Sequence, residues 1–229
     1  MKTAGKRQTR AACRGSVVCT CILALATILA TSTRAGGASD PKVTVLVYNY
    51  AEVSSGVLQG GEREATRVFT AAGISMTWVD CSNTRIPARS GLAQAPEAPT
   101  ACFSPVSGAD VVLRILPRST PASRAFHDTM FGFAEGTFVA SVFYGRLEEF
   151  AQGVYGNQAD TPVILGDVMA HEIGHLLLGT NSHSRTGIMC GKWDPEYLRL
   201  AREGFQTFSP AQSAVMRAAV LRRQAEIQP

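Results

Sequence analysis

Three of the chain's four histidines fall within thirteen residues, and no other feature constrains the fold as tightly. The run reads His171-Glu172-Ile173-Gly174-His175, then Gly179, then His183. An α-helix advances about 100° per residue, so His171 and His175 stand one turn apart on nearly the same face. From there two imidazoles can bind one metal ion. Glu172 projects to the side, where it can reach a water on that ion without being a ligand. The sequence from Pro162 to Leu178 is apolar for most of its length, with Val163, Ile164, Leu165, Val168, Met169, Ile173 and Leu176 to Leu178. A helix this apolar is buried, and buried histidines need partners. The alternative, histidines that are merely polar surface residues, fits these flanks poorly.

Two histidines at i and i+4 with a glutamate beside the first form the H-E-x-x-H arrangement of zinc metallopeptidases. The longer run H-E-I-G-H-L-L-L-G-T-N-S-H-S-R-T-G-I-M resembles the metzincin signature, H-E-x-x-H-x-x-G-x-x-H followed by a methionine turn. The resemblance is tight over residues 171 to 189 and loose elsewhere. It implies one Zn2+ per chain held by His171, His175 and His183, with Glu172 as general base. It also implies Gly179 as the turn ending the active-site helix, and Met189 as the methionine beneath the metal. Met189 is then structural and not a ligand, because a thioether is a weak donor to zinc. The His183-Ser184 pair and Gly187-Ile188-Met189 look like the matching stretch of matrix metalloproteinases.

The spacing departs from that signature. Three residues, not two, separate His175 from Gly179, and three more separate Gly179 from His183. One extra helical residue turns the exit direction by about 100°. The third ligand therefore stays open between His183 and the acidic residues Asp194, Glu196 and Glu203. Gly179 favours His183, because a glycine there ends the helix and lets the chain double back. No tyrosine lies two places after Met189, so an astacin-type tyrosine ligand is not supported.

Residues 1–35 read as a signal peptide. Lys2, Lys6, Arg7, Arg10 and Arg14 make a basic start, Val17 to Ala30 an apolar core, and Thr33-Arg34-Ala35 a cleavage site. An apolar stretch of about 14 residues is short for a membrane span, so an uncleaved anchor is the second reading. A secreted or periplasmic location follows. The leader carries six basic residues and no acidic one, so its removal takes the formal charge from +4 to −2. The basicity belongs to the leader, and a nucleic-acid partner is not expected. Residues 36–229 are expected to form a single catalytic domain, acting as a monomer. The first strand starts soon after the cleavage site, leaving no room for an inhibitory propeptide. Cys81, Cys102 and Cys190 remain in the mature part. Cys81 and Cys102 bracket a loop and are the disulfide candidates; two buried thiols are the alternative. Cys190 is expected to be a buried thiol.

Along the mature chain, 42–50 reads as a β-branched strand and 60–72 as a helix with Ala65, Val68, Phe69 and Ala72 on one face. Ile74 to Cys81 is a second strand, Ser82 to Gly108 a loop, and Ala109 to Leu116 a third strand. Phe131 to Gly136 is rich in glycine and aromatics. Thr137 to Tyr144 reads as a fourth strand, Leu147 to Gln152 as a short helical piece, and Gly153 to Thr161 as a loop. The active-site helix spans Pro162 to Leu178 with Thr161 as N-cap. Asp194 to Glu203 and Ser209 to Glu226 are helical, and Ser209-Pro210 opens the second of these. This order fits an α+β class: a twisted mixed sheet, an active-site helix and a mostly helical C-terminal part, as in a metzincin-like zincin domain.

The expected activity is that of a zinc metalloendopeptidase acting on a peptide or protein substrate through a zinc-activated water and Glu172. In the resembled family an edge strand before the metal helix lines the cleft. That role is expected of Thr137, Phe138, Val139, Ala140, Ser141 and Tyr144, with the specificity pocket shaped by Gly191 to Trp193. Candidates for a second electrophile are Tyr144, Tyr155 and Tyr197, whereas His127 reads as a loop residue. The rival readings are a non-catalytic zinc-binding or interaction protein and a hydrolase of non-peptide amides. A structural zinc site is closed by a fourth protein ligand and has no use for Glu172.

Overall fold

Strand β1 (Lys42–Asn49) is the β-branched run KVTVLVYN, and it lies between β2 (Ser75–Asp80) and β3 (Val111–Leu116), parallel to both. Val43, Val45 and Val47 are fully buried on one face. The period of two in a strand puts them there together. Strand β5 (Val139–Phe143) pairs in parallel with β3, and the short β4 (Gly132–Glu135) pairs antiparallel with β5. The five-stranded mixed sheet has the order β2-β1-β3-β5-β4. The computed structural model describes residues 40–82, 99–117, 130–155, 160–179 and 182–226. The expected leader, His127 and most of the loop after Cys81 lie outside the described residues.

Among the described residues five helices accompany the sheet: α1 (Ser55–Ala71), α2 (Tyr144–Tyr155), α3 (Thr161–Leu178), α4 (Pro195–Arg202) and α5 (Pro210–Ala225). Helix α1 starts five residues earlier than the sequence suggests. Gly60 and Gly61 weaken local helix propensity, but packing against α3 overrides them. A β-carbon on Gly60 would fall 2.6 Å from Pro162 Cβ, and one on Gly61 would fall 2.9 Å from Leu165 Cγ. Gly166 of α3 faces back in the same way: a β-carbon on it would fall 2.6 Å from the Gly61 carbonyl oxygen and 2.5 Å from Glu64 Cβ. The two helices thus meet almost backbone to backbone.

Three boundaries differ from expectation. The piece expected at Leu147 to Gln152 is the longer α2, which starts at Tyr144 and buries Leu147 and Ala151. Phe131 to Gly136 contains a strand, β4, too short to show alternation. Asp160, not Thr161, occupies the N-cap of α3 and makes no side-chain cap there. Its carboxylate is taken by the Arg202 guanidinium of α4 instead. The later caps follow the local chemistry. Asp194 accepts from the Tyr197 amide at 3.0 Å, and Ser209 and Gln212 form a reciprocal capping box.

A disulfide joins Cys81, just after β2, to Cys102 in a one-turn 3₁₀ segment at Thr100–Phe103. The Tyr48 hydroxyl donates to the Cys102 carbonyl at 3.3 Å and ties that segment to β1.

Replacing Cys81 and Cys102 together by alanine should lower stability by about 3 kcal/mol, the loop-closure value for a link of this span. Urea denaturation checks this. In the same assay Gly166→Ala should destabilise by about 1–3 kcal/mol, because the atoms it meets include backbone that cannot swing away.

Candidate metal centre

Helix α3 carries His171 and His175 one turn apart, as the spacing requires, and Gly179 then leaves the helix at φ 91°. Only a residue without a β-carbon adopts that angle easily. The chain turns back and delivers His183. The three Nε2 atoms form a small triangle: 3.1 Å between His171 and His175, 3.3 Å between His171 and His183, and 3.2 Å between His175 and His183. Three imidazoles on one tetrahedral zinc, with Zn–N bonds of about 2.0–2.1 Å, have nitrogens about 3.3–3.4 Å apart. The triangle fits that ion closely.

The tautomers agree with this use. His171 Nδ1 is 2.8 Å from the Ile188 carbonyl oxygen. A carbonyl only accepts, so Nδ1 donates and Nε2 keeps a bare lone pair. His175 Nδ1 is likewise engaged, 2.8 Å from Ser182 Oγ. Burial, the largest cause in each case, lowers His171 and His175 to about 4. Both rings are therefore neutral at pH 7. Lone pairs converging on one point repel each other, and a shared cation removes that repulsion.

The methionine turn forms the floor. Gly187 adopts φ 75°, Ile188 and Met189 are fully buried, and the Ile188 amide donates to the Thr207 carbonyl at 3.0 Å. Met189 Sδ lies against α3, 2.7 Å from where a β-carbon on Gly174 would stand. The Ser184 amide donates to the Met189 carbonyl at 2.8 Å and closes the loop that holds His183. Cys190 is a free, half-buried thiol rather than a fully buried one.

The acidic alternatives for the third position stand elsewhere. Asp194 caps α4 and pairs with Lys192 at 3.0 Å, while Glu196 and Glu203 both pair with Arg199. Among the described residues, the triad is the one group of three or more His, Cys, Asp or Glu side chains arranged to hold a metal. Glu172 sits beside it, buried, and burial alone raises its carboxyl to about 8.

The triad opens onto a cleft of about 1140 Å³. Here the sequence expectation is corrected. Thr137 reaches the cleft from the turn before β5, but Phe138, Val139, Ala140, Ser141 and Tyr144 do not line it. Strand β5 is interior, hydrogen-bonded on both sides, and Ala140 and Ser141 are fully buried. The edge strand along the cleft is β4, through Gly132, Phe133 and Ala134. Neither Tyr144 nor Tyr197 lines the cleft, and the Tyr155 side chain lies outside the described residues. Gly191, Lys192 and Trp193 do line it.

Sequence reading missed an aromatic wall. Trp193 packs edge-on against Phe131 at 5.6 Å and His171 at 6.1 Å, and Phe131 packs on Phe150 at 5.0 Å. Phe131, Phe150 and Trp193 come from three separate segments and share no local pattern. Sequence reading also missed Asp167, one turn before His171. Burial first, and Glu64 second, push its carboxyl well above the usual range and favour its protonated form.

No family model matches the chain, and no curated protein matches it. Solved structures do. The zinc-dependent peptidase from Methanocorpusculum labreanum (strain Z) is 16% identical with a TM-score of 0.48, covering 76% of this chain and 99% of that one. Archaemetzincin from Methanopyrus kandleri is 13% identical with a TM-score of 0.42, covering 81% of this chain and 98% of that one.

Zinc titration against a chromophoric chelator should show one ion per chain for the unaltered protein. His183→Ala should weaken that binding by more than about 100-fold, beyond the cost of losing an outer partner. Equal affinity in the two proteins would remove His183 from the ligand set.

Proposed function

We propose that this chain is a zinc-dependent metallohydrolase of metzincin-like type that cleaves peptide bonds. One observation carries the reading: a three-nitrogen triangle of zinc dimensions lies beside a buried carboxylate, at the wall of a cleft with a sheet edge along it. His171, His175 and His183 would hold the ion and leave its cleft side open. When bound, zinc would polarise a carbonyl, lower the pKa of water toward 7 and, as a nearby positive charge, draw Glu172 into its carboxylate form.

The chain's own groups supply the remainder. Glu172 takes a proton from the attacking water on its carboxylate and passes it to the leaving amine. Among the described residues β4 is the last strand of the sheet, so an extended peptide could join it as a further strand and be held in line past the triad. Trp193, Phe131 and Phe150 give one side of that path an apolar face. Closely packed walls keep bulk water from the carboxylate.

The proposed setting is outside the cytoplasm, secreted or periplasmic, on the strength of the N-terminal leader; the anchored form is its alternative. The partner is a peptide or protein substrate.

Glu172→Gln should retain zinc and the melting temperature of the unaltered protein but lose hydrolysis by several orders of magnitude, because an amide cannot accept the proton. Turnover of an unstructured protein substrate, followed by mass spectrometry, checks this. Equal turnover by both forms would remove Glu172 as base, and no cleavage by either form would favour a zinc-binding protein without catalysis.

A further inference from the structure

Strand β4 meets the active-site helix at a point with no room for a side chain. Gly132, the first residue of β4, pairs with Val142 of β5. A β-carbon on Gly132 would fall 2.7 Å from Glu172 Cγ and 2.8 Å from Glu172 Oε1. It would also fall 2.5 Å from the Ser141 carbonyl oxygen. Non-bonded heavy atoms rest about 3.5–4.0 Å apart, so alanine here and Glu172 where it stands are incompatible. Gly132 is not among the positive-φ glycines, so the backbone conformation does not demand glycine. Space does.

The Glu172 side chain is buried, so its position is set by what packs around it. A catalytic carboxylate is ordinarily oriented by hydrogen bonds from a supporting layer of residues. Packing orients it as well, and the wall at the Glu172 carboxyl is the bare backbone of Gly132.

We propose that Gly132 is a positioning residue for the reaction: by presenting backbone alone to Glu172, it sets where the carboxylate rests between β4 and the histidine triad. This rests on the metallohydrolase reading. The competing explanation is that Gly132 merely lets β4 pair with β5 past the Ser141 carbonyl. The two differ in what relieves the strain of a side chain at position 132.

The experiment compares Gly132→Ala, Glu172→Ala and the double variant, by thermal unfolding and zinc content, and Gly132→Ala by steady-state kinetics. Gly132→Ala should keep one zinc and lower kcat by about 100-fold, the cost of a displacement near 1 Å, while KM changes less than about threefold. The loss of melting temperature caused by Gly132→Ala should shrink by at least about half when Glu172 is already alanine, because the two side chains compete for one volume. An unchanged kcat, or a raised KM with kcat unchanged, would overturn the proposal. Additive losses of melting temperature would overturn it too, since the collision that matters would then be with Ser141. Should Gly132→Ala fail to fold, recovery of folding in the double variant supports the proposal, and failure of the double variant while Glu172→Ala folds overturns it. If the unaltered protein cleaves nothing, the metallohydrolase reading falls, and the thermal comparison still decides whether Gly132 and Glu172 share that space.

Discussion

Helix α3 buries fourteen of its eighteen residues, Asp167, His171 and Glu172 among them. A helix covered on nearly every side leaves no water for its polar groups, and an unpaired charge there costs several kcal/mol. Each ionisable group on it is accordingly driven toward its neutral form. His171 falls to about 4, Glu172 rises to about 8 and Asp167 rises well above the carboxylate range. For the histidines this is an asset. Neutral imidazoles are metal ligands as they stand, with no proton to displace at pH 7.

The covering layers also aim those groups. Glycines 60, 61 and 166 let α1 lie against α3 at backbone distance, which fixes the axis carrying His171 and His175. The methionine turn reaches His171 through the Ile188 carbonyl, and the Ile188 amide is in turn held by Thr207 ahead of α5. Arg223 of α5 donates to the Leu176 carbonyl at the end of α3. The chain after α3 thus supports a triad to which it contributes His183 alone.

The cleft depends on an asymmetry of the sheet. Four strands run parallel, whereas β4 runs antiparallel and, among the described residues, ends the sheet beside the triad. Residues of β4 and the ring of Trp193 line the same cleft. Trp193 stacks on Tyr197 at 4.1 Å, so α4 carries the far wall and its Asp194 cap holds that wall in register.

Much of this was legible locally. A helical face shared by His171 and His175, its apolar flanks, the Ser209 cap and the β-branched strands are properties of neighbours within a few positions. Chain stiffness and hydrogen bonding over that range are written in residue type. What remained open was non-local. Whether His183 or an acidic residue joins the first two histidines depends on how a glycine turn and a buried methionine turn fold back on α3. Which strand edges the cleft depends on pairing between segments, and four residues such as Gly132 to Glu135 carry too little alternation to announce a strand. Thr161 is the first residue of α3 and not its cap, and the Asp160 carboxylate before it is held by Arg202, some forty residues later. Residue pattern along the chain was enough for a buried helix bearing two histidines and a glutamate. Tertiary structure alone decided the third histidine's company, the edge strand and the aromatic wall, because each is a contact between segments whose nearness only the closed core creates.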